Sequence, residues 1–135
     1  MTVFVDSNIP MYVAGRDHPL RNPARRFLQR ARAGEFDIAT SAEVLQEILY
    51  RYSSLKRLDL AGAVYDLFVE VCPTVWPITI ADTDRARAIL LDTRTVSARD
   101  ALQAAIMLNN GVSRIATFDA GFDAIDGIQR VALGD

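Results

Sequence analysis

The sequence predicts an α/β fold, a central and mainly parallel sheet flanked by helices in three layers. Val3-Phe4-Val5 is a continuous apolar run that ends on Asp6-Ser7-Asn8, the pattern of a short strand buried on both faces and followed at once by a helix start. Short β-rich runs alternate with helical periods along the chain, which implies crossover connections and a sheet covered on both sides. Half of the 135 residues are hydrophobic, enough for a core of domain size. No repeat, low-complexity tract or linker interrupts the chain, so one domain is expected over residues 1–135.

The elements follow in order. After the first strand a short helix is expected at about 8–14, with Pro10 tolerable in its first turn. A second runs from about Pro23 to Ala33 and stops at Gly34. Phe36-Asp37-Ile38-Ala39 is a short strand. Residues 41–56 and 59–71 have helical periodicity, and they carry apolar and aromatic residues such as Leu55, Leu60, Tyr65 and Phe68. Some of these belong to the core, and the excess suits a dimer face or a groove for a partner helix. Val75-Trp76-Pro77-Ile78 reads as a strand that Pro77 places at a sheet edge. Helices are expected at about 80–93 and 98–109, the second closed by Gly111. Arg114-Ile115-Ala116-Thr117 is a buried strand, Phe118-Asp119 opens a turn, and a last strand runs through 129–132.

Composition removes several kinds of chemistry. Cys72 is alone, so it forms neither an internal disulfide nor a cysteine metal cage, and it reads as a small apolar residue near a helix end. His18 is the one histidine, in a loop, and a histidine acid–base pair needs two. No G-x-S-x-G, G-x-x-x-x-G-K or G-x-G-x-x-G occurs. No apolar run is long enough to span a bilayer and the start lacks a signal-peptide pattern, so a cytoplasmic location is expected. The formal net charge of −2 does not advertise nucleic-acid binding as a whole. Arginine nevertheless crowds one segment, at Arg21, Arg25, Arg26, Arg30 and Arg32. Guanidinium grips phosphate bidentately, so this segment, Arg25 and Arg26 included, suits a patch that positions a phosphate backbone, or else is simply a solvated helix face.

What remains is acid. Asp6 ends one strand and Asp119 follows another, and the carboxyl ends of parallel strands are where such sheets keep their sites. Asp100 opens the helix that leads into the second of those strands. Each has an innocent alternative: a helix cap for Asp6, a capping box in Ser97-Ala98-Arg99-Asp100, and a turn at Asp119. The fourth acid is Glu43 or Glu47. Thr40-Ser41-Ala42-Glu43 reads as a capping box. At about 100° per residue, Glu43 lies roughly 165° from the centre of the stripe formed by Val44, Leu45, Ile48, Leu49, Tyr52 and Leu55, and Glu47 roughly 125°. Glu47 therefore flanks the buried face and is preferred, while Glu43 is expected to point at solvent. Gathered carboxylates repel unless a cation joins them. Oxygen-only donors suit Mg²⁺ or Mn²⁺, which stabilise charge on a phosphodiester and lower the pKa of a bound water.

In Val3–Asn8, Val44–Leu49, Ser97–Ala105 and Ile115–Asp123, in that order and spacing, the chain resembles the PIN-domain nucleases, and among them the VapC toxins of bacterial toxin–antitoxin pairs. The resemblance covers essentially the whole chain. It implies a PIN-like fold and an endoribonuclease in which Asp6, Glu47, Asp100 and Asp119 bind Mg²⁺ and activate water. Asp6, Asp100 and Asp119 would ligate the metal, and Glu47 would ligate or orient the water. Ser7, Asn8 and Thr117 match positions that support the acids by hydrogen bonding, and Asp123 matches one that sometimes joins the metal site. The resemblance further implies a homodimer, a VapB-like antitoxin whose tail places an arginine among the carboxylates, and an RNA substrate whose identity it does not carry over. Two other classes stay open, a PIN-like scaffold without catalysis and an aspartyl phosphotransferase. The latter wants an acid two positions after the first and a lysine on a late strand, where this chain has Asn8 and a lone Lys56 at the end of an early helix.

Overall fold

The computed structural model describes residues 1–134. Five strands form one parallel sheet: β1 (Thr2–Val5), β2 (Asp37–Ser41), β3 (Thr74–Trp76), β4 (Arg114–Ala116) and β5 (Gln129–Arg130), in the spatial order β3-β2-β1-β4-β5. Six helices connect them: α1 (Asn8–Ala14), α2 (Arg21–Arg32), α3 (Ala42–Ser54), α4 (Leu58–Val71), α5 (Ile80–Asp92) and α6 (Ala98–Asn109), with a short 3-10 turn at Ala120–Ala124. The chain moves outward from β1 through β2 to β3, then returns by α5 and α6 to the other side of β1. The order therefore reverses between β1 and β4, and a crevice opens beyond their carboxyl ends.

Val3, Phe4 and Val5 are all buried, as the continuous apolar run requires of a central strand covered on both sides. Around them lie Ile48, Phe68, Ile106, Met107, Ile115 and Phe122, each contributing about 1.5–3 kcal/mol by leaving water. Cys72 is buried at the end of α4 and burial pushes its thiol up to about 12, so it behaves as the apolar residue expected. His18 serves its loop: its Nδ1 accepts the Leu20 N–H, and its ring packs on Tyr12.

Boundaries shift in places. α2 begins at Arg21, two residues early, which keeps Pro23 in the first turn where its missing N–H costs nothing. β3 stops just before Pro77 and is an edge strand, as the proline demanded. The apolar stripe of α3 is narrower than its sequence suggested, because Leu49 and Leu55 are exposed while Val44, Leu45, Ile48 and Tyr52 are buried. On α4, Phe68 is core, and Leu60 and Tyr65 pack on its margin.

Three helices end in the same motif. After α2, α3 and α6, the residues Gly34 (φ 82°), Lys56 (φ 57°) and Gly111 (φ 76°) take the left-handed conformation. In each case two N–H groups fold back onto the last turn: Gly34 and Glu35 donate to Ala31 and Arg30, Lys56 and Arg57 to Ser53 and Tyr52, and Gly111 and Val112 to Leu108 and Met107. This satisfies carbonyls the helix leaves open, and glycine adopts it without a Cβ penalty. Lys56 is the exception and bears that strain. Lys56→Gly should therefore stabilise the protein by about 0.5–1 kcal/mol in urea unfolding, and an unchanged or lower midpoint would contradict the account.

Candidate active site

Asp6 is the first residue beyond β1 and is fully buried. Its N–H continues the sheet by donating to the Ala116 carbonyl on β4, which pins it at the point where strand order reverses. Oδ1 accepts the Ser7 N–H at 2.7 Å and Oδ2 accepts the Thr117 hydroxyl at 2.7 Å. Thr117 is held in turn, accepting from the Asn8 side-chain amide at 3.1 Å and the Asp119 N–H at 3.0 Å. The Ser7 hydroxyl donates to Glu47 Oε1 at 2.7 Å. The strand ends are thus tied together by short polar side chains.

Asp100 enters from the first turn of α6. Ser97 caps that helix by accepting the Asp100 N–H, but no reciprocal bond from the Asp100 carboxylate is made among the described residues, so the capping box is only half formed. The carboxylate turns to the crevice instead. α5 shows the complete version: Asp82 caps Thr79 in return, and Asn109 donates to its other oxygen. That buried acid is structural. Asp119 does both jobs, its Oδ1 accepting the Gly121 N–H at the start of the 3-10 turn and its Oδ2 facing the crevice.

Glu43 differs from its expected capping role and its expected place in solvent. The capping box at Thr40 does not form, because Thr40 donates to the Val5 carbonyl and Ser41 is the residue that caps α3. Glu43 is consequently half-buried, not turned to solvent. It lies one helical turn from Glu47, and burial, followed by the charge of Glu47, holds its carboxyl above the ordinary range. Glu47 is nonetheless the one that Ser7 grips.

All four acids converge on Arg99. Its Nη1 pairs with Glu47 and lies 3.7 Å from Asp6 Oδ1, while its Nη2 lies 2.9 Å from Asp100 Oδ1 and 3.6 Å from Asp119 Oδ2. Burial works against the charge of Arg99, but the hydrogen bond to Glu47 and the charges of Asp6, Glu47 and Asp100 push its pKa well above the usual range. Asp123 does not join them. Its exposed carboxylate is paired bidentately with Arg130. Arg25 and Arg26 are exposed on α2 and, among the described residues, make no ion pair with the cluster, while Arg30 is spent on Glu35.

A family model for the PIN domain matches residues 3–128. The chain belongs to the PIN domain family. Among curated relatives it is 44% identical to ribonuclease VapC13 of Mycobacterium tuberculosis, over 96% of this chain and 99% of that one. It is 40% identical to ribonuclease VapC23 of the same species, over 87% and 92%. Solved structures agree on the PIN fold. VapBC2 from Rickettsia felis superposes with a TM-score of 0.78 at 18% identity, over 97% of this chain and 98% of that one. VapC20 of M. tuberculosis gives 0.73 at 23%, over 90% and 93%.

The cluster of four acids suits a divalent cation in kind. It is all carboxylate, two of its members are buried, and a guanidinium already stands in for a cation between them. Gly121 keeps the space open, since a Cβ there would come within 3.0 Å of Asp119 Oδ1 and 3.2 Å of Asp100 Oδ2. Among the described residues no three acids stand close enough together to hold a metal as they are, because Arg99 occupies their centre. Neither Gly121 nor Arg99 carries a site signature in its local sequence. The one signal for Arg99 was its place directly before Asp100, in a first helical turn where cations are disfavoured.

Burial, then a hydrogen bond shared with Asp119, pushes Asp100 from 3.8 up to about 6, with the Arg99 charge opposing. Asp6 is also raised, by burial first. The folded protein therefore holds the Asp100 proton more tightly than the unfolded chain does. The resulting stability is full below about pH 4 and is lost as pH rises through about 6. In chelator, the wild type should lose stability relative to Asp100→Asn across that window, read by urea unfolding at each pH. Parallel curves would refute the assignment.

Proposed function

We propose that this chain is an endoribonuclease that hydrolyses RNA phosphodiester bonds in a Mg²⁺- or Mn²⁺-dependent reaction, as the toxin of a pair with a VapB-like antitoxin, its activity lying within a single domain over 1–135. The observation that carries this is the convergence of Asp6, Glu47, Asp100 and Asp119 on one cation at the strand-order switch. The ribonuclease names of relatives at 44% and 40% identity support RNA as the substrate class. That structural neighbours are VapBC assemblies supports the antitoxin.

Asp6, Asp100 and Asp119 would hold the metal, which when bound neutralises charge on the scissile phosphate and lowers the pKa of water. Glu47, fixed by Ser7, orients the attacking water and accepts its proton. Thr117, itself fixed by Asn8, holds Asp6 in the geometry that aims both oxygens. Since water attacks and no 2′-hydroxyl takes part, the products carry 5′-phosphate and 3′-hydroxyl ends. Asp6→Asn should lower cleavage by about 10²-fold or more while the protein still unfolds cooperatively. Product ends bearing 2′,3′-cyclic phosphate, or full activity in Asp6→Asn, would overturn the mechanism.

Two surfaces remain for partners. Tyr50, Leu55 and Leu58 stand 66%, 60% and 74% exposed on and between α3 and α4, apolar area that a second protein surface would cover. A homodimer is proposed, and sedimentation velocity at micromolar concentration should show it, a monodisperse monomer being the contrary result. Arg25 and Arg26, exposed on α2, would contact the RNA backbone. No helix among the described residues is long and apolar enough to cross a membrane.

A further inference from the structure

The two end nitrogens of Arg99 divide four carboxylates between them, Nη1 facing Glu47 and Asp6 and Nη2 facing Asp100 and Asp119. These acids come from four separate places in the fold, and a planar fork suits such a task better than the point charge of lysine. Among the described residues the other ion pairs, Arg30–Glu35, Arg57–Asp59 and Arg130–Asp123, lie elsewhere. Arg99 is also the second residue of α6, where the helix macrodipole opposes a positive charge. Its placement is set by the acids and not by the helix.

We propose that Arg99 is a built-in counterion that keeps the acidic centre closed to divalent cations until it swings aside. The proposal rests on the reading of these acids as metal ligands and adds how that site is controlled. Arginine and metal exclude one another by distance. The Asp6, Asp100 and Asp119 oxygens, now 2.9–3.7 Å from Nη1 or Nη2, would have to close to about 2.0–2.1 Å around Mg²⁺. The same volume cannot hold a guanidinium and that shell. The way out is open, since the Arg99 side chain is 34% exposed and its stem can turn to solvent without disturbing the backbone of α6. Metal entry is thus an exchange of one cation for another, and Arg99 lowers the affinity of the site for metal by the strength of its own ion pairs.

Calorimetric titration of Mn²⁺ into the purified protein tests this without reference to cleavage. Arg99→Gln should bind Mn²⁺ about tenfold more tightly than the wild type, and Arg99→Lys by an intermediate factor. Saturating Mn²⁺ should also raise the unfolding temperature of Arg99→Gln by more than that of the wild type. Should Arg99→Gln fail to fold without metal, Arg99→Lys, which keeps the charge but cannot span four acids, carries the comparison. Wild-type or weaker affinity in the Arg99 variants, with Asp6→Asn still abolishing binding, would overturn the counterion and leave the metal site standing. No measurable Mn²⁺ binding in either the wild type or the Arg99 variants would remove both.

Discussion

A carboxylate buried at the end of the central strand is the constraint on which this molecule depends. Asp6 has no access to water, so every oxygen lone pair must be met by protein or by a cation. Ser7, Thr117 and, through Thr117, Asn8 meet part of that need. They come from the residues that directly follow β1 and β4, the two strands that flank the reversal in strand order. The sheet topology and the polar network are therefore one arrangement: β4 beside β1 brings Thr117 to Asp6, and α6, which leads into β4, delivers Arg99 and Asp100.

Hydrogen bonds alone leave too much negative charge. With Glu47, Asp100 and Asp119 within reach of the same crevice, desolvation and then repulsion raise the carboxyls of Asp6 and Asp100, and a cation is the remedy. The chain supplies one itself in Arg99. This has opposite consequences for stability and for chemistry. An internal guanidinium lets the fold close around its acids without metal, and the same guanidinium stands where a metal would act. Gly121, with no side chain, keeps both occupants possible by leaving the approach to Asp100 and Asp119 clear.

Much of this was legible in the sequence because it rests on local patterns. The apolar run Val3–Val5, the glycines after α2 and α6, and Pro77 at the edge of β3 each follow from rules about a few neighbouring residues. Positions of Asp6, Asp100 and Asp119 at the carboxyl end of the sheet follow from the alternation of strands and helices. What escaped was set by tertiary partners. Glu43 lost its capping role because Thr40 found the Val5 carbonyl, a residue 35 positions away. Asp123 turned to Arg130 across the 3-10 turn, and Leu49 and Leu55 stayed exposed because α4 covers only part of the α3 stripe. Arg99 was the largest omission. Its meaning depends on four acids that only the fold assembles.

The proposed alternation of arginine and metal among the strand-end acids is open to direct observation. The most direct measurement is a crystal structure of the protein grown with Mn²⁺, with anomalous scattering recorded at the manganese edge. A peak is expected among Asp6, Asp100 and Asp119, with the Arg99 guanidinium turned out toward solvent. A saturated crystal with Arg99 still seated among the four carboxylates, and manganese absent or bound elsewhere, would contradict it.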